Sequence, residues 1–244
     1  IVQEDPGNSE HIQVLVNGSP STAVGVLRAD AITALTVLTG DEDNSVDLTD
    51  VDAAVFMNLT TITIATGNGD DTIVGSPDIA MTVDAGDGDD TITAFAGLDT
   101  LRGGDGDDSI LGGDGADSID AGDGEDIVMG EAGDDTILAD DGNDTISGGA
   151  DNDSIVGHDG DDLLNGDGGA DTIFADLGDD VVDGGAGTDL IFGGAGRDTI
   201  DGNTGNDTIF GNGGVDSLQG GDDDDSIRGG TSNDVIEGGA GDDI

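Results

Sequence analysis

The stretch that decides the fold is Gly103-Gly104-Asp105-Gly106-Asp107-Asp108-Ser109-Ile110-Leu111, one copy of a nine-residue unit. A second copy, Gly193-Gly194-Ala195-Gly196-Arg197-Asp198-Thr199-Ile200-Asp201, keeps its glycines, its sixth-position aspartate and its aliphatic eighth residue. From Ala85 onward, such units follow one another to the end of the chain without an insertion or deletion. A fixed short period of this kind is the signature of a repeat architecture.

The register of the repeat is strict. Position six is Asp in 18 consecutive units, from Asp90 to Asp243, and position eight is always Ile, Leu or Val. Position four is Gly in all units except those with Asp151, Asp223 and Ser232. A disordered acidic segment has no reason to keep such a register, so the pattern predicts an ordered array.

Each unit combines a turn with a short strand. Glycines at positions one, two and four allow backbone conformations with positive φ, which are typical of tight turns. The last three residues alternate around one aliphatic side chain, as a short strand with one buried residue does. Two units then form one turn of 18 residues. The pattern therefore predicts an all-β solenoid of about nine turns, with two parallel sheets around an aliphatic core.

The first 84 residues contain more Val, Leu and Thr and fewer Asp and Gly. The segments 32–40 and 59–67 are alike at an offset of three units, and 66–74 is a first good repeat. It lies one residue out of register with the array. We predict that 1–84 forms a degenerate β-solenoid cap on the array of 85–244, because a solenoid needs its terminal strand edges covered.

Composition excludes several functional classes. The chain has 244 residues with 57 acidic side chains, four Arg and no Lys, for a formal charge of −53. A nucleic-acid partner needs a basic face, so none is expected. No apolar run approaches the length of a membrane span. The absence of Cys excludes a disulfide scaffold and Cys-ligated zinc or iron–sulfur sites.

The pattern Gly-Gly-x-Gly-x-Asp-x-(aliphatic)-x resembles the haemolysin-type (RTX) calcium-binding nonapeptide over about two thirds of the chain. The resemblance implies a right-handed parallel β-roll. It also implies Ca²⁺ between successive loops of one edge, held by position-six Asp and loop carbonyls. Hard oxygen donors and few His agree with this metal. The implied ligands are Asp71, Asp90, Asp99, Asp108, Asp117, Asp126, Asp135, Asp144, Asp153, Asp162, Asp171, Asp180, Asp189, Asp198, Asp207, Asp216, Asp225, Asp234 and Asp243.

If loops of one edge share ions, the array has about 16 inter-loop sites. Without these ions, repulsion among the carboxylates opposes a compact state, so we expect the array to fold only when calcium binds. The position-five acids are either second-tier ligands or solvated loop charges. An EF-hand is not expected, because Asp105-Gly106-Asp107-Asp108 lacks its central Gly and runs directly into a strand.

No catalytic motif is present: neither His-Glu-x-x-His nor Gly-x-Ser-x-Gly occurs. His158 and His11 are expected to be surface residues. An antifreeze β-roll is disfavoured, because a column of Thr-Gly-Asn-Asp loops is needed and only Thr204-Gly205-Asn206-Asp207 has that form. We therefore expect that this chain is not an enzyme.

Position nine points out of the sheets, and one of its two columns is apolar. That column contains Leu138, Val156, Phe174, Phe192 and Phe210. It is either a contact face for another domain or subunit or a ladder that stabilises its own sheet.

The resulting functional hypothesis is a calcium-binding, extracellular or cell-surface structural module, such as a rigid spacer, scaffold, adhesin or assembly segment. The resemblance implies folding after export, typically by type I secretion. The alternative is an accessory module of a secreted enzyme or toxin whose catalytic domain lies outside this chain. The first residue is not Met and the sequence stops within a repeat, so a fragment of a longer protein is expected.

Overall fold

The structure is a computed structural model that describes residues 2–4, 11–15, 33–51, 53 and 56–244, with side chains described from residue 33 onward. All regular elements in this part of the chain are β-strands. The predicted all-β architecture is therefore confirmed.

The N-terminal strands are β1 (Val2–Glu4), β2 (His11–Leu15), β3 (Ala34–Leu38), β4 (Ser45–Asp47), β5 (Thr61–Asn68), β6 (Thr72–Val74), β7 (Met81–Asp87) and β8 (Thr91–Thr93). The strands of the array continue with β9 (Thr100–Asp105), β10 (Ser109–Asp114), β11 (Ser118–Asp123), β12 (Ile127–Ala132), β13 (Thr136–Leu138), β14 (Thr145–Ala150), β15 (Ser154–Val156) and β16 (Leu163–Gly168). The last strands are β17 (Thr172–Leu177), β18 (Val181–Asp183), β19 (Leu190–Ala195), β20 (Thr199–Asp201), β21 (Thr208–Gly213), β22 (Ser217–Asp222), β23 (Ser226–Arg228) and β24 (Val235–Ala240).

These strands form two sheets that run along the whole stack. One sheet has 13 strands in the order β1-β2-β3-β5-β7 and then odd-numbered strands to β23, and the other has 11 strands from β4 to β24. Every pairing is parallel except that of β1 with β2. Alternation between the sheets means that two successive units complete one turn, as the 18-residue period predicts.

The strand register confirms the sequence offsets. In the array, Ser118 pairs with Thr136 and Leu190 with Thr208, both 18 residues apart. In the N-terminal part, Leu35 pairs with Ile62, which is the predicted offset of three units. Ile62 then pairs with Met81, so the inserted residue lies in that turn. The irregular turns thus belong to the same stack.

The core between the sheets is a double column of aliphatic side chains. From Ile92 to Leu218, no position-eight side chain is more than 2% exposed. In the last turn Ile236 is 48% exposed, because no further turn covers it within the described residues. Burying one such aliphatic side chain stabilises the fold by about 2 kcal/mol, which is the main apolar contribution to stability. Each unit contributes only its position-eight side chain to this column, so much of the rest of the structure consists of loops.

Candidate metal-binding loops

The loops lie in two rows, one along each long edge of the stack, because successive units alternate between the sheets. Left-handed backbone recurs at fixed positions in these loops. Asp151, Asp223 and Ser232, the three residues that replace Gly at position four, all have positive φ, between 80° and 88°. A side chain in this region costs about 1 kcal/mol or more, so the repeat imposes its backbone geometry against residue preference.

The position-six aspartates join successive turns through Oδ1. The backbone N–H of Asp135, for example, donates to Oδ1 of Asp153 at 2.8 Å, and that of Asp153 donates to Asp171 at 2.7 Å. The same bond joins Asp71 to Asp90 and continues to Asp243 at the end of the chain. A carboxylate that accepts a buried N–H is held in one orientation, so its second oxygen is also fixed.

The second oxygen, Oδ2, is buried and has no hydrogen-bond partner in most of these residues. This holds for Asp71, Asp90, Asp108, Asp117, Asp126, Asp135, Asp144, Asp153, Asp162, Asp171, Asp180, Asp189, Asp198, Asp207, Asp216 and Asp225. The predicted ligands outside this set are Asp99, which is buried, Asp234, which is half-buried, and Asp243, which is exposed. A buried, unpartnered carboxylate oxygen is strongly unfavourable unless a cation compensates it.

Where position one of the loop is Gly, the unpartnered oxygen faces a small cradle at that residue. A Cβ added to Gly112 would lie 2.9 Å from Asp117 Oδ2 and 2.9 Å from the carbonyl oxygen of Gly130 in the next turn. At Gly202, the corresponding distances to Asp207 and to the next-turn carbonyl are 2.5 and 2.6 Å. The cradle therefore brings together a carboxylate oxygen and a backbone carbonyl oxygen from two successive turns.

Burial and neighbouring carboxylates raise the pKa values of these aspartates. The pKa values of Asp108, Asp144 and Asp153 are raised to about 7, chiefly by burial and to a smaller extent by the adjacent position-six carboxylates. The N–H that each Oδ1 accepts acts in the opposite direction. The ionised form of the array is therefore unfavourable unless positive charge is supplied to the loops.

This donor set fits Ca²⁺. Carboxylate and carbonyl oxygens are the ligands that a hard divalent cation prefers, and calcium tolerates irregular arrangements of them. Within the described residues, no three acidic or His side chains converge on one point that could hold a metal. Backbone carbonyls would therefore provide a large part of each coordination shell.

The position-five side chains form a second series of hydrogen bonds between successive turns, the loop ladder, which the sequence pattern did not reveal. Oδ1 of Asp89 accepts the N–H of Asp107 one turn later at 3.1 Å, and Asp161 accepts that of Asp179 at 2.8 Å. These side chains are exposed. Asn143 acts in the same way towards Asp161, so a negative charge is not required. The ladder orders the loops, whatever further role these residues have as ligands.

The loops before Asp71 replace the open cradle with side-chain donors. Asn44 stands at the position-six place, and its amide donates to the carbonyl oxygens of Gly40, at 2.8 Å, and of Glu42. Thr66 stands at position one and donates its hydroxyl to the carbonyl oxygen of Ala85 at 2.9 Å. Asp71 thus has the aligned Oδ2 of the array, but Thr66 occupies position one of its loop.

His158 is a partly exposed residue of the loop surface, as expected. Its Nε2 lies 3.5 Å from Asp140 Oδ1 and its Nδ1 lies 3.8 Å from Asp176 Oδ2. The side chain of His11 is outside the described part of the chain. In the described residues there is no helix that could cross a membrane.

Comparison with known families agrees with the loop geometry. The sequence profile of the RTX calcium-binding nonapeptide repeat matches residues 63–78 and, through overlapping matches, all of 82–244. No curated protein matches the chain. The chain therefore belongs to the RTX calcium-binding nonapeptide repeat family, and its array is a calcium-binding repeat module.

Proposed function

We propose that this chain is an extracellular structural module whose array folds when calcium binds, and that the position-six aspartates are the side-chain ligands. The observation that carries the proposal is the column of buried Oδ2 atoms without partners. Where position one is Gly, as at Gly112 and Gly202, such an atom faces a carbonyl oxygen of the next turn across the position-one cradle. Bound Ca²⁺ supplies the positive charge that these oxygens lack.

The proposed number of sites is about 16, because ions between successive loops of one edge would fill the intervals of both edges. Oδ1 of each Asp is already committed to a backbone N–H, which leaves Oδ2 as the ligand atom. Asp243 is exposed at the end of the described stack, and we expect it to contribute least.

An extracellular setting follows from the weakness expected of each site. Loop sites built mainly from carbonyls and single carboxylates resemble extracellular calcium modules, which bind with dissociation constants of about 10⁻⁴–10⁻³ M. Such sites would fill in the millimolar calcium outside a cell, and a net charge of −53 would keep the chain unfolded where calcium is scarce. Folding after secretion is therefore part of the proposal.

We propose that the module has no catalytic activity of its own. The regularly placed carboxylates are explained by the loop ladder and by calcium, which leaves no pair that needs an acid–base role. A rigid rod of parallel turns suits a spacer or scaffold. The alternative, an accessory module beside a catalytic domain of a longer polypeptide, uses the same calcium-dependent fold and is distinguished by the sequence of the full gene.

The test compares two substitutions in one loop, Asp153→Asn and Asp151→Asn. Both remove one negative charge and change the shape little, but Asp153 has a buried Oδ2 and Asp151 is exposed. We expect Asp153→Asn to bind at least one calcium ion fewer per chain by equilibrium dialysis. It should also need more calcium to develop strand circular dichroism. Equal stoichiometry and equal midpoints for the two variants would refute the ligand assignment.

A further inference from the structure

The outer face of the 13-stranded sheet has an unusual column of side chains at position nine. Strand pairing places Leu138, Val156, Phe174, Phe192 and Phe210 on consecutive strands, one above the other. The three Phe rings are stacked, with centroids 4.8 and 5.0 Å apart. All five side chains are half-buried, although they lie on the outside of the rod. We call these five residues the apolar stripe.

The surroundings of the apolar stripe are poor in charge along one side. The position-seven residues of the same strands are Thr136, Ser154, Thr172, Leu190 and Thr208. In a chain with a formal charge of −53, a neutral and apolar strip over five strands is conspicuous. The other side carries the position-two residues, among which Asp140 and Asp176 are acidic and flank His158.

Charges return at both ends of the apolar stripe, and they have opposite signs. Asp120 pairs with Leu138 at one end, and Arg228 pairs with Phe210 at the other. Only four Arg residues are present in the whole chain, so one of them at this place is notable. Phe174 lies in the middle of the column, three strands from Asp120 and three strands from Arg228.

We propose that two copies of this chain form an antiparallel dimer through the apolar stripe, about a two-fold axis that passes between their Phe174 residues along the strand direction. In this arrangement each Asp120 faces Arg228 of the second copy, so two ion pairs close the ends. Between them, Leu138 faces Phe210 and Val156 faces Phe192. Such an isologous interface needs one self-complementary surface, which this column provides.

Charge complementarity disfavours two competing arrangements. An axis placed half a turn nearer the N-terminus would bring Arg102, which pairs with Asp120 on the adjacent strand, opposite Arg228 of the second copy. A parallel face-to-face arrangement would bring each Asp120 opposite Asp120 and each Arg228 opposite Arg228. Both alternatives replace the two ion pairs with like charges, which disfavour association.

The dimer should be weak and should strengthen with salt. With strands about 4.8 Å apart, the column from Asp120 to Arg228 is about 29 Å long, so roughly 300 Å² per copy is covered, less than in stable interfaces. The rods also repel each other through their net charge, and the Asp176 side chains of the two copies lie beside the axis. Added salt screens this repulsion between whole rods as well as the two ion pairs, and it leaves the apolar contact in place.

The first test is sedimentation equilibrium in millimolar calcium, over a range of protein concentrations up to about 1 mM. We expect a reversible dimer whose dissociation constant rises about tenfold or more in Phe192→Ser. Met129→Ser is the matched control, since Met129 stands at position nine of the other sheet and is 45% exposed. Circular dichroism of each variant in calcium shows whether the array is folded, so a failure of folding is distinguished from a failure of association.

The second test determines the register and leaves the Phe ladder intact. The chain has no Cys, so single Cys residues can be introduced and joined with a short bis-maleimide, since facing sheets lie about 10 Å apart. Thr172, on the strand of Phe174, would face itself across the axis. We expect Thr172→Cys to cross-link alone, and Thr136→Cys to cross-link efficiently only when mixed with Thr208→Cys.

Two results would overturn the proposal. One is a folded wild-type protein that remains monomeric at all concentrations and salt levels. In that case the apolar stripe only stabilises its own sheet. The other is a cross-linking pattern in which two copies of the Thr136→Cys variant, or two copies of the Thr208→Cys variant, cross-link as efficiently as two copies of the Thr172→Cys variant.

Discussion

The N-terminal turns and the array stabilise equivalent loops by different chemistry. In the N-terminal turns the hydroxyl of Thr66 and the amide of Asn44 donate hydrogen bonds to loop carbonyl oxygens. In the array, position one is Gly or Ala, position six is Asp, and a buried Oδ2 is left without a partner. The same backbone path is closed by side-chain donors in one region and, in the function proposed above, by a cation in the other. Under that proposal, only the second region depends on calcium to fold.

The largest expected effect is the response of the two regions to EGTA. We predict that the array loses amide protection almost completely, because nothing then compensates the buried carboxylates. Residues 34–66 should retain more protection, since their loops contain their own donors. Hydrogen exchange followed by mass spectrometry of peptides, with and without calcium, measures both regions in one sample. Equal loss of protection in both regions would show that the distinction has no energetic meaning.

Acidification should partly restore the array in EGTA. The folded-state pKa values of Asp90 and Asp126 are raised to about 6, and that of Asp207 to about 7, above the value of 3.8 for an unperturbed Asp. The calcium-free fold therefore binds more protons than the unfolded chain. Its stability is greatest near pH 4 and falls as the pH rises towards 7.

We expect strand circular dichroism in EGTA to be stronger at pH 5 than at pH 7.5. In calcium the direction should reverse, because ligands must be ionised. The same pH dependence with and without calcium would contradict the assignment.

Because the backbones of successive turns lie close together at Gly169 but not at Gly168, Gly169→Ala should lower the stability far more than Gly168→Ala. A Cβ on Gly169 would collide with the carbonyl group of Asp151 in the preceding turn. At Gly168 the nearest atom would be 4.0 Å away. We predict a loss of about 3 kcal/mol or more for Gly169→Ala and a change of less than about 1 kcal/mol for Gly168→Ala. Thermal unfolding in saturating calcium measures the difference, and similar melting temperatures would contradict the close packing of turns.

A smaller effect is expected at Thr66, which is fully buried and donates to the carbonyl of Ala85. Thr66→Val keeps the shape of the side chain but leaves this carbonyl oxygen without its donor. We predict a loss of about 1–3 kcal/mol in the local opening free energy of the adjacent strands. Amide exchange in calcium measures this loss. Thr63→Val, on an exposed position of the same strand, is the control and should have little effect.

The smallest expected effect is a gain in stability from Ser232→Gly. Ser232 has a φ of 88°, a conformation that Gly adopts without steric cost. We predict a gain of about 0.5–1 kcal/mol, measured by thermal unfolding in calcium. Ser118→Gly, in a strand of the array, should instead lower stability. A loss of stability in Ser232→Gly would indicate that the serine side chain has a role of its own.

The solenoid, its period and its core could be predicted from the sequence alone. Aliphatic side chains at every ninth residue, such as Ile173 and Val182, are all buried when two units make one turn, and the strand register confirms this period in the array. The position-six column was equally visible, because Asp at every ninth residue is not explained by the needs of a strand or an apolar core. These features depend on local backbone geometry and on spacing, which are read directly from the chain.

The role of each carboxylate oxygen of these aspartates could not be predicted from the sequence, because it depends on contacts between stacked turns. The position-six Oδ1 accepts an N–H from a residue 18 positions away, and Oδ2 is sealed beside a carbonyl of another turn. Neither contact has a local signature in the sequence. The roles of Asn44 and Thr66 were hidden for the same reason: both residues look like ordinary loop and strand residues until the next turn is stacked on them. Contacts between turns are non-local, so their chemistry is fixed only when the stack exists.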